Sequence, residues 1–150
     1  MLQRILISGY TGFIGSNLTN NLKGQELYGV DIIKNDSVLK HFQWEELNKC
    51  IDCQLFIHLA GIVHDTKNIT SDEKYFNINV GLTQKIFQQF LISTANKFIF
   101  FSSVKAVRDS FEGQILNEEV SPNPETAYGR SKLEAEMYIL NEFEKWKEDE

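Results

Sequence analysis

Proline is scarce in this chain, at two residues in 150, and glycine is held to nine. A collagen-like repeat and a proline- or glycine-rich linker are thereby excluded. No apolar run approaches the ~20 residues that a membrane-spanning helix needs. The opening Met1-Leu2-Gln3-Arg4-Ile5 has no basic front, long apolar run or small-residue cleavage site, so no secretion leader is expected. A basic block is also missing. Fifteen basic against twenty-one acidic residues leave a net charge of −6, and neither nucleic acid nor a membrane is expected as a partner. Cysteine is limited to Cys50 and Cys53, a C-x-x-C pair. A zinc site needs about four ligands, and a thioredoxin-type pair opens a helix after a strand. This pair instead closes a polar stretch before a strand. Two reduced thiols in a cytoplasmic protein are the simpler reading, and a redox or zinc pair is the alternative. His41, His58 and His64 have no carboxylate or second histidine at ligand spacing, so they are read as structural or solvent-facing and no metal site is expected.

What is present suits one globular domain. Hydrophobic residues make up 42% and charged residues 24%, and 150 residues bury a core without disulfide staples. Residues 2–8 read as a buried strand, followed by a glycine-rich turn and a helix over 13–22. Further strands are expected over 26–32, 38–42, 54–60 and 97–102, the last two of them buried. Helices are expected near 44–50, over 71–94 with Ser71 as its cap, and over 127–146. Polar loops are expected over 62–71 and through Asp109, Gly113, Pro122 and Pro124. Buried, non-alternating strands that alternate with helices mean a parallel sheet covered on both faces. The expected fold is α/β, a doubly wound (Rossmann-like) parallel sheet of order 3-2-1-4-5 with right-handed crossovers.

The segment Gly9-Tyr10-Thr11-Gly12-Phe13-Ile14-Gly15 follows the first strand and opens the first helix. Its G-x-x-G-x-x-G spacing is one residue off the G-x-G-x-x-G fingerprint, and the physics is shared. The first glycine makes the turn, the middle one admits a pyrophosphate, and the last lets helix pack on strand. The helix start then offers N–H groups and a positive dipole end to phosphates. Asp31, at the end of the second strand, can accept hydrogen bonds from both hydroxyls of an adenosine ribose. It would repel a 2′-phosphate, which favours NAD over NADP. A solvated turn aspartate is the alternative. Thr11, Phe13, Ile14 and Ile32 flank these groups and are counted with them as cofactor-binding.

Tyr128 and Lys132 lie four residues apart in Tyr128-Gly129-Arg130-Ser131-Lys132, on one face of a helix. An ammonium close to a phenol favours the phenolate, which can exchange a proton with a substrate hydroxyl. Ser102 and Ser103 end the fifth strand, at the carboxyl edge where doubly wound sheets bind ligands. A hydroxyl there can bond the reacting oxygen. Capping of local backbone is the other reading of either serine.

Together these residues resemble the N-terminal half of an extended short-chain dehydrogenase/reductase of the NAD-dependent epimerase/dehydratase type. The matching pieces are Gly9 to Gly15, Asp31, Ile57-His58-Leu59-Ala60-Gly61, Asn79-Val80, Phe101-Ser102-Ser103 and Tyr128 to Lys132. The resemblance implies that Leu59, Ala60 and Gly61 line the ribose and nicotinamide side of NAD. It places Asn79 in the cofactor and proton-relay neighbourhood, and has Lys132 bond the nicotinamide ribose. Tyr128, Lys132 and a serine are the implied catalytic groups. The serine is Ser103 if Ala106 takes the place of the family's valine in Ser-Ser-x-x-Val; if Val107 does, the position falls on Val104. The implied substrate is a nucleotide-linked sugar. The implied assembly is a homodimer through helices 71–94 and 127–146. The chain departs from the family pattern at Arg108-Asp109, where Tyr-Gly is usual, and at Gln43-Trp44, where an adenine-contacting acid is usual. It is expected to be one dinucleotide-binding domain over 1–150 without the C-terminal substrate lobe. Alone it is expected to be inactive, with an NAD-binding module lacking catalysis as the alternative function.

Overall fold

The computed structural model describes residues 3–63, 71–110 and 115–148. The first strand, β1 (Arg4–Ser8), carries the run Ile5-Leu6-Ile7, and all three side chains are buried. An unbroken apolar run has this outcome only in a strand covered on both faces, which is the environment of a parallel sheet. β1 pairs in parallel with β2 (Glu26–Val30) on one side and β4 (Leu55–His58) on the other, with Leu6 opposite Tyr28 and Phe56. The short β3 (Lys40–Phe42) extends the sheet beyond β2, and β5 (Lys97–Phe100) extends it beyond β4. The resulting order is β3-β2-β1-β4-β5, as expected.

Parallel neighbours need a crossover, commonly a helix. α1 (Phe13–Asn21) links β1 to β2 and sets Leu18 against a cluster of Ile5, Ile7, Tyr10, Leu27 and Ile57. Before β5 the chain runs through α2 (Asp72–Tyr75), a π-helical stretch (Phe76–Val80) and α3 (Gly81–Leu91). Phe87 and Phe90 of α3 join Phe56 and Phe98 in a ring cluster, with Phe87 edge-on to Phe98 at 5.0 Å and Phe56 edge-on to Phe90 at 5.8 Å. α4 (Ala127–Glu148) is the longest helix described. Among the described residues no helix is long and apolar enough to cross a membrane.

The chain divides into two compact units. The first comprises Met1–Gly61 and Lys85–Phe101 and contains the whole sheet; the second comprises Ile62–Gln84 and Ser102–Glu150.

Several elements differ from expectation. The buried strand expected over 97–102 ends at Phe100 and is half-exposed, with Ile99 38% accessible. It is an edge strand that pairs only with β4 among the described residues. The helix near 44–50 is a 3-10 helix, Trp44–Lys49, opened by a capping box between Gln43 and Glu46. The helix over 71–94 begins as expected, since the Ser71 hydroxyl accepts the Lys74 N–H at 3.3 Å, but the π stretch interrupts it. Residues 64–70 of the expected loop over 62–71 lie outside the described residues, as does Gly113.

Candidate functional site

In the first unit the glycine loop is built by close backbone approach. Gly9 has φ +71, and a Cβ there would lie 2.6 Å from the Ala60 nitrogen, so only glycine fits without strain. Its N–H donates to the Val30 carbonyl at 2.9 Å, and the Gly12 N–H donates to the Gly9 carbonyl at 3.1 Å. Gly15 is buried, and a Cβ on it would strike the Gly9 carbonyl oxygen and Tyr10 Cα. α1 therefore starts tight against the loop. No side chain caps this start and no acid sits in its first turn. Its first N–H groups and positive dipole end are left to an anion. These features fit the diphosphate of a dinucleotide. Phe13 and Ile14 beside them are 86% and 49% exposed.

Asp31 is partly exposed at the end of β2 and is bonded to the glycine loop. One carboxylate oxygen accepts the Thr11 N–H at 3.1 Å and the Thr11 hydroxyl at 2.8 Å, and the other accepts the Ile32 N–H at 2.7 Å. It pins the glycine loop to the end of β2 and keeps lone pairs for further donors. Ile32 next to it is 78% exposed.

Two groups that sequence reasoning missed complete this region. Tyr10 is fully buried, and its hydroxyl accepts the Asn35 N–H at 3.1 Å and meets His41 Nδ1 at 2.9 Å. Its ring lies where a Cβ on Gly29 would be, 2.5 Å away. A glycine inside a strand was the available signal. Ser8 and His58, both fully buried, meet at 2.6 Å from Oγ to Nδ1, and the Ala60 N–H donates to Ser8 Oγ at 3.3 Å. His58 is thus structural, and the pair steadies the turn through Leu59, Ala60 and Gly61. Cys50 and Cys53 are free, buried thiols. Burial pushes both up to about 12, which makes them inert at neutral pH.

In the second unit α4 carries Tyr128 and Lys132 one turn apart. Lys132 is only 7% exposed, and burial pushes its ammonium down to about 8 against the opposing pull of the Glu136 carboxylate. The Tyr128 ring stands edge-on to Tyr75 at 6.0 Å. Asn79, from the π-helical stretch, is 2% exposed. Its amide oxygen accepts the Ile62 N–H at 2.8 Å, and its nitrogen donates to the Ile62 carbonyl at 3.2 Å and to Ser131 Oγ at 3.0 Å. Ser131, beside Lys132, donates in turn to the Tyr128 carbonyl at 2.8 Å.

Ser103 opens a single 3-10 turn, Val104–Ala106, and its hydroxyl accepts the Lys105 N–H at 3.2 Å. Ser102 and Val104 are exposed, while Ala106 is buried. Asp109 follows. Burial opposes its charge, yet hydrogen bonds from the Thr126 hydroxyl, the Thr126 and Glu125 N–H groups and the Lys105 ammonium hold it down at about 2.

A parallel, doubly wound sheet whose first βα turn is an uncapped glycine loop defines a Rossmann-like dinucleotide fold. The chain belongs to the NAD dependent epimerase/dehydratase family, whose pattern matches residues 5–147. It is 30% identical to UDP-glucose 4-epimerase of Vibrio cholerae, over 93% of this chain and 47% of that protein. It is 26% identical to GDP-6-deoxy-D-mannose reductase of Pseudomonas aeruginosa, again over 93% and 47%. A solved structure, MoeE5 in complex with UDP-glucose and NAD, superposes with a TM-score of 0.82 at 25% identity, covering 92% of this chain and 48% of that one. The chain thus spans about half the length of the curated relatives it matches.

Proposed function

We propose that this chain is the dinucleotide-binding half of an NAD-dependent epimerase or dehydratase that acts on a nucleotide-linked sugar. The observation that carries the reading is the buried Lys132 ammonium one helical turn from Tyr128, in a chain of this family. In this reading Gly9, Thr11, Gly12, Phe13, Ile14 and Gly15 hold the diphosphate of NAD. Asp31 accepts the adenosine ribose hydroxyls beside Ile32, and Leu59, Ala60 and Gly61 line the far end of the coenzyme. NAD, when bound, supplies the acceptor for a hydride from a sugar carbon. Tyr128 removes the proton of the hydroxyl on that carbon, so that carbon and oxygen together lose the equivalent of two hydrogens. Lys132 stabilises the phenolate by charge and also bonds the nicotinamide ribose. Ser103 donates to the reacting oxygen, and Asn79 steadies the neighbourhood of the relay through Ser131. A homodimer through helices 71–94 and 127–146 and a cytoplasmic location, where Cys50 and Cys53 stay reduced, belong to the same proposal.

A second reading is an NAD-binding module without turnover of its own. One substitution separates the two. In the whole protein, Tyr128→Phe is expected to lower kcat by ~100-fold or more while calorimetry finds NAD affinity nearly unchanged. An unaltered kcat would remove Tyr128 from the chemistry. A wild-type protein that binds NAD yet turns over no nucleotide sugar would favour the module.

A further inference from the structure

Asp109 receives four donors. One of its oxygens accepts the N–H groups of Glu125 at 2.7 Å and Thr126 at 2.9 Å; the other accepts the Thr126 hydroxyl at 2.7 Å and the Lys105 ammonium at 3.3 Å. These donors come from two places in the chain. Lys105 belongs to the 3-10 turn that Ser103 opens, and Thr126 is the residue before α4. The Thr126 hydroxyl has a second task, since it accepts the Gly129 N–H at 3.1 Å and so caps α4. Because it accepts there, its own proton is directed to Asp109.

The two elements also touch directly. A Cβ on Gly129 would strike the Lys105 carbonyl oxygen, and it would lie 2.9 Å from the Pro124 side chain. The first turn of α4 therefore rests on the backbone of the Ser103 turn. The Asn123 N–H, bonded to the Val107 carbonyl at 2.8 Å, ties the approach to α4 back to the same segment.

We infer that Asp109 is a positioning residue: by joining Lys105 to Thr126 it fixes the first turn of α4, and with it Tyr128, on the turn that carries Ser103. The catalytic consequence rests on the function proposed above; the positioning does not. A carboxylate is required because four donors converge. An asparagine offers one acceptor oxygen and a donor NH₂, so either orientation sets a donor against two of the four. A shift of about 1 Å between a proton-transfer group and its partner suffices to cost a large factor in rate.

The test is made in the whole protein with NAD and a nucleotide sugar at saturation. Asp109→Asn is expected to lower kcat about 10-fold, with KM for the sugar and NAD affinity nearly unchanged. In a Ser103→Ala background the same change should cost less than about 3-fold, because the alignment has lost its target. Amide exchange at Gly129 and Arg130 should quicken about 10-fold while exchange in β1 stays as it was. If Asp109→Asn does not fold, Lys105→Met, which removes one donor of the four, should move the same readouts in the same direction by about 3-fold. An unchanged kcat, or an equal loss in both backgrounds, overturns the inference. Should the wild type show no turnover, the proposed function falls, and amide exchange decides the positioning alone: faster exchange confined to Gly129 and Arg130 supports it, and unchanged exchange overturns it.

Discussion

The interiors of the two units are made of different materials. In the first, the fully buried side chains are mostly large and apolar: Leu6, Ile7, Tyr10, Val30, Phe56 and Ile86 are each completely covered. In the second, the buried apolar side chains among the described residues are Tyr75, Val80 and three alanines, Ala106, Ala127 and Ala135. Asn79, Thr83, Ser131 and Lys132 are buried beside them. Hydrophobic burial is non-directional and scales with area, so the first unit has a wide margin and tolerates imprecise angles. Hydrogen bonds fix angles and contribute less net stability each. The second unit is thus built for placement at the expense of margin, which suits a part proposed to move a proton.

The sharpest way to break this comparison is to empty the first core. Phe56 lies at its centre, 0% exposed and edge-on to Phe90 at 5.8 Å. Phe56→Ala is expected to lower stability by about 4 kcal/mol, through lost transfer free energy and a cavity that rigid β1 and β4 cannot close. Urea denaturation measures it. A loss below about 1 kcal/mol would mean that the sheet is not held chiefly by its core.

The same contrast explains what could be read in the residues alone. Ile5-Leu6-Ile7 and Leu55-Phe56-Ile57-His58 announce buried strands because burial leaves an apolar run, and Gly9 to Gly15 announces a turn because only glycine permits the approach. The strand order was that of the doubly wound arrangement. The second unit left fewer marks. Asp109 is a single acid in a loop, and its partners Glu125 and Thr126 stand sixteen and seventeen residues away. No periodicity records such a clamp. The π stretch was equally hidden: Tyr75, Ile78, Leu82 and Ile86 keep helical spacing, which tolerates one wide turn, and the bonds of Asn79 to Ile62 and Ser131 leave no periodicity of their own. Tyr10 was read as part of a loop because its burial depends on Gly29, nineteen residues later.

A smaller effect is expected at Lys132, and it tests the second unit's trade directly. Burial has lowered the ammonium from 10.5 to about 8. Between those values the unfolded chain binds a proton that the folded chain does not, so stability rises with pH across this window. Below about pH 8 both states are charged and the full cost is present. By linkage that cost is about 3 kcal/mol. The thiols act in the opposite sense. Cys50 and Cys53 titrate near 9 when unfolded but are pushed up to about 12 when folded, so stability falls with pH above 9. The wild type should therefore gain stability from pH 8 to 9 and lose it beyond. Lys132→Met should be more stable than wild type at pH 7 by about 2 kcal/mol and show only the fall. Equal stability of the two proteins at pH 7 would mean that Lys132 is held without strain.

The smallest effect sharpens the claim, because it separates buried polarity from polarity as such. Arg130 of α4 also bonds Asp72 of α2, at 3.0 Å, but the two side chains are 44% and 73% exposed. Water screens such a pair, and ordering two mobile side chains offsets most of its Coulomb gain. Asp72→Asn is therefore expected to cost about 0.5 kcal/mol in thermal or urea unfolding, part of it from the lost charge at the helix start. Both contributions should shrink as salt is raised to about 1 M, where screening acts within about 3 Å. A cost above about 2 kcal/mol that persists in salt would mean that the second unit draws on its surface polar contacts as strongly as on those closed to water. The distinction between the two interiors would then rest on polarity alone, with burial irrelevant to it.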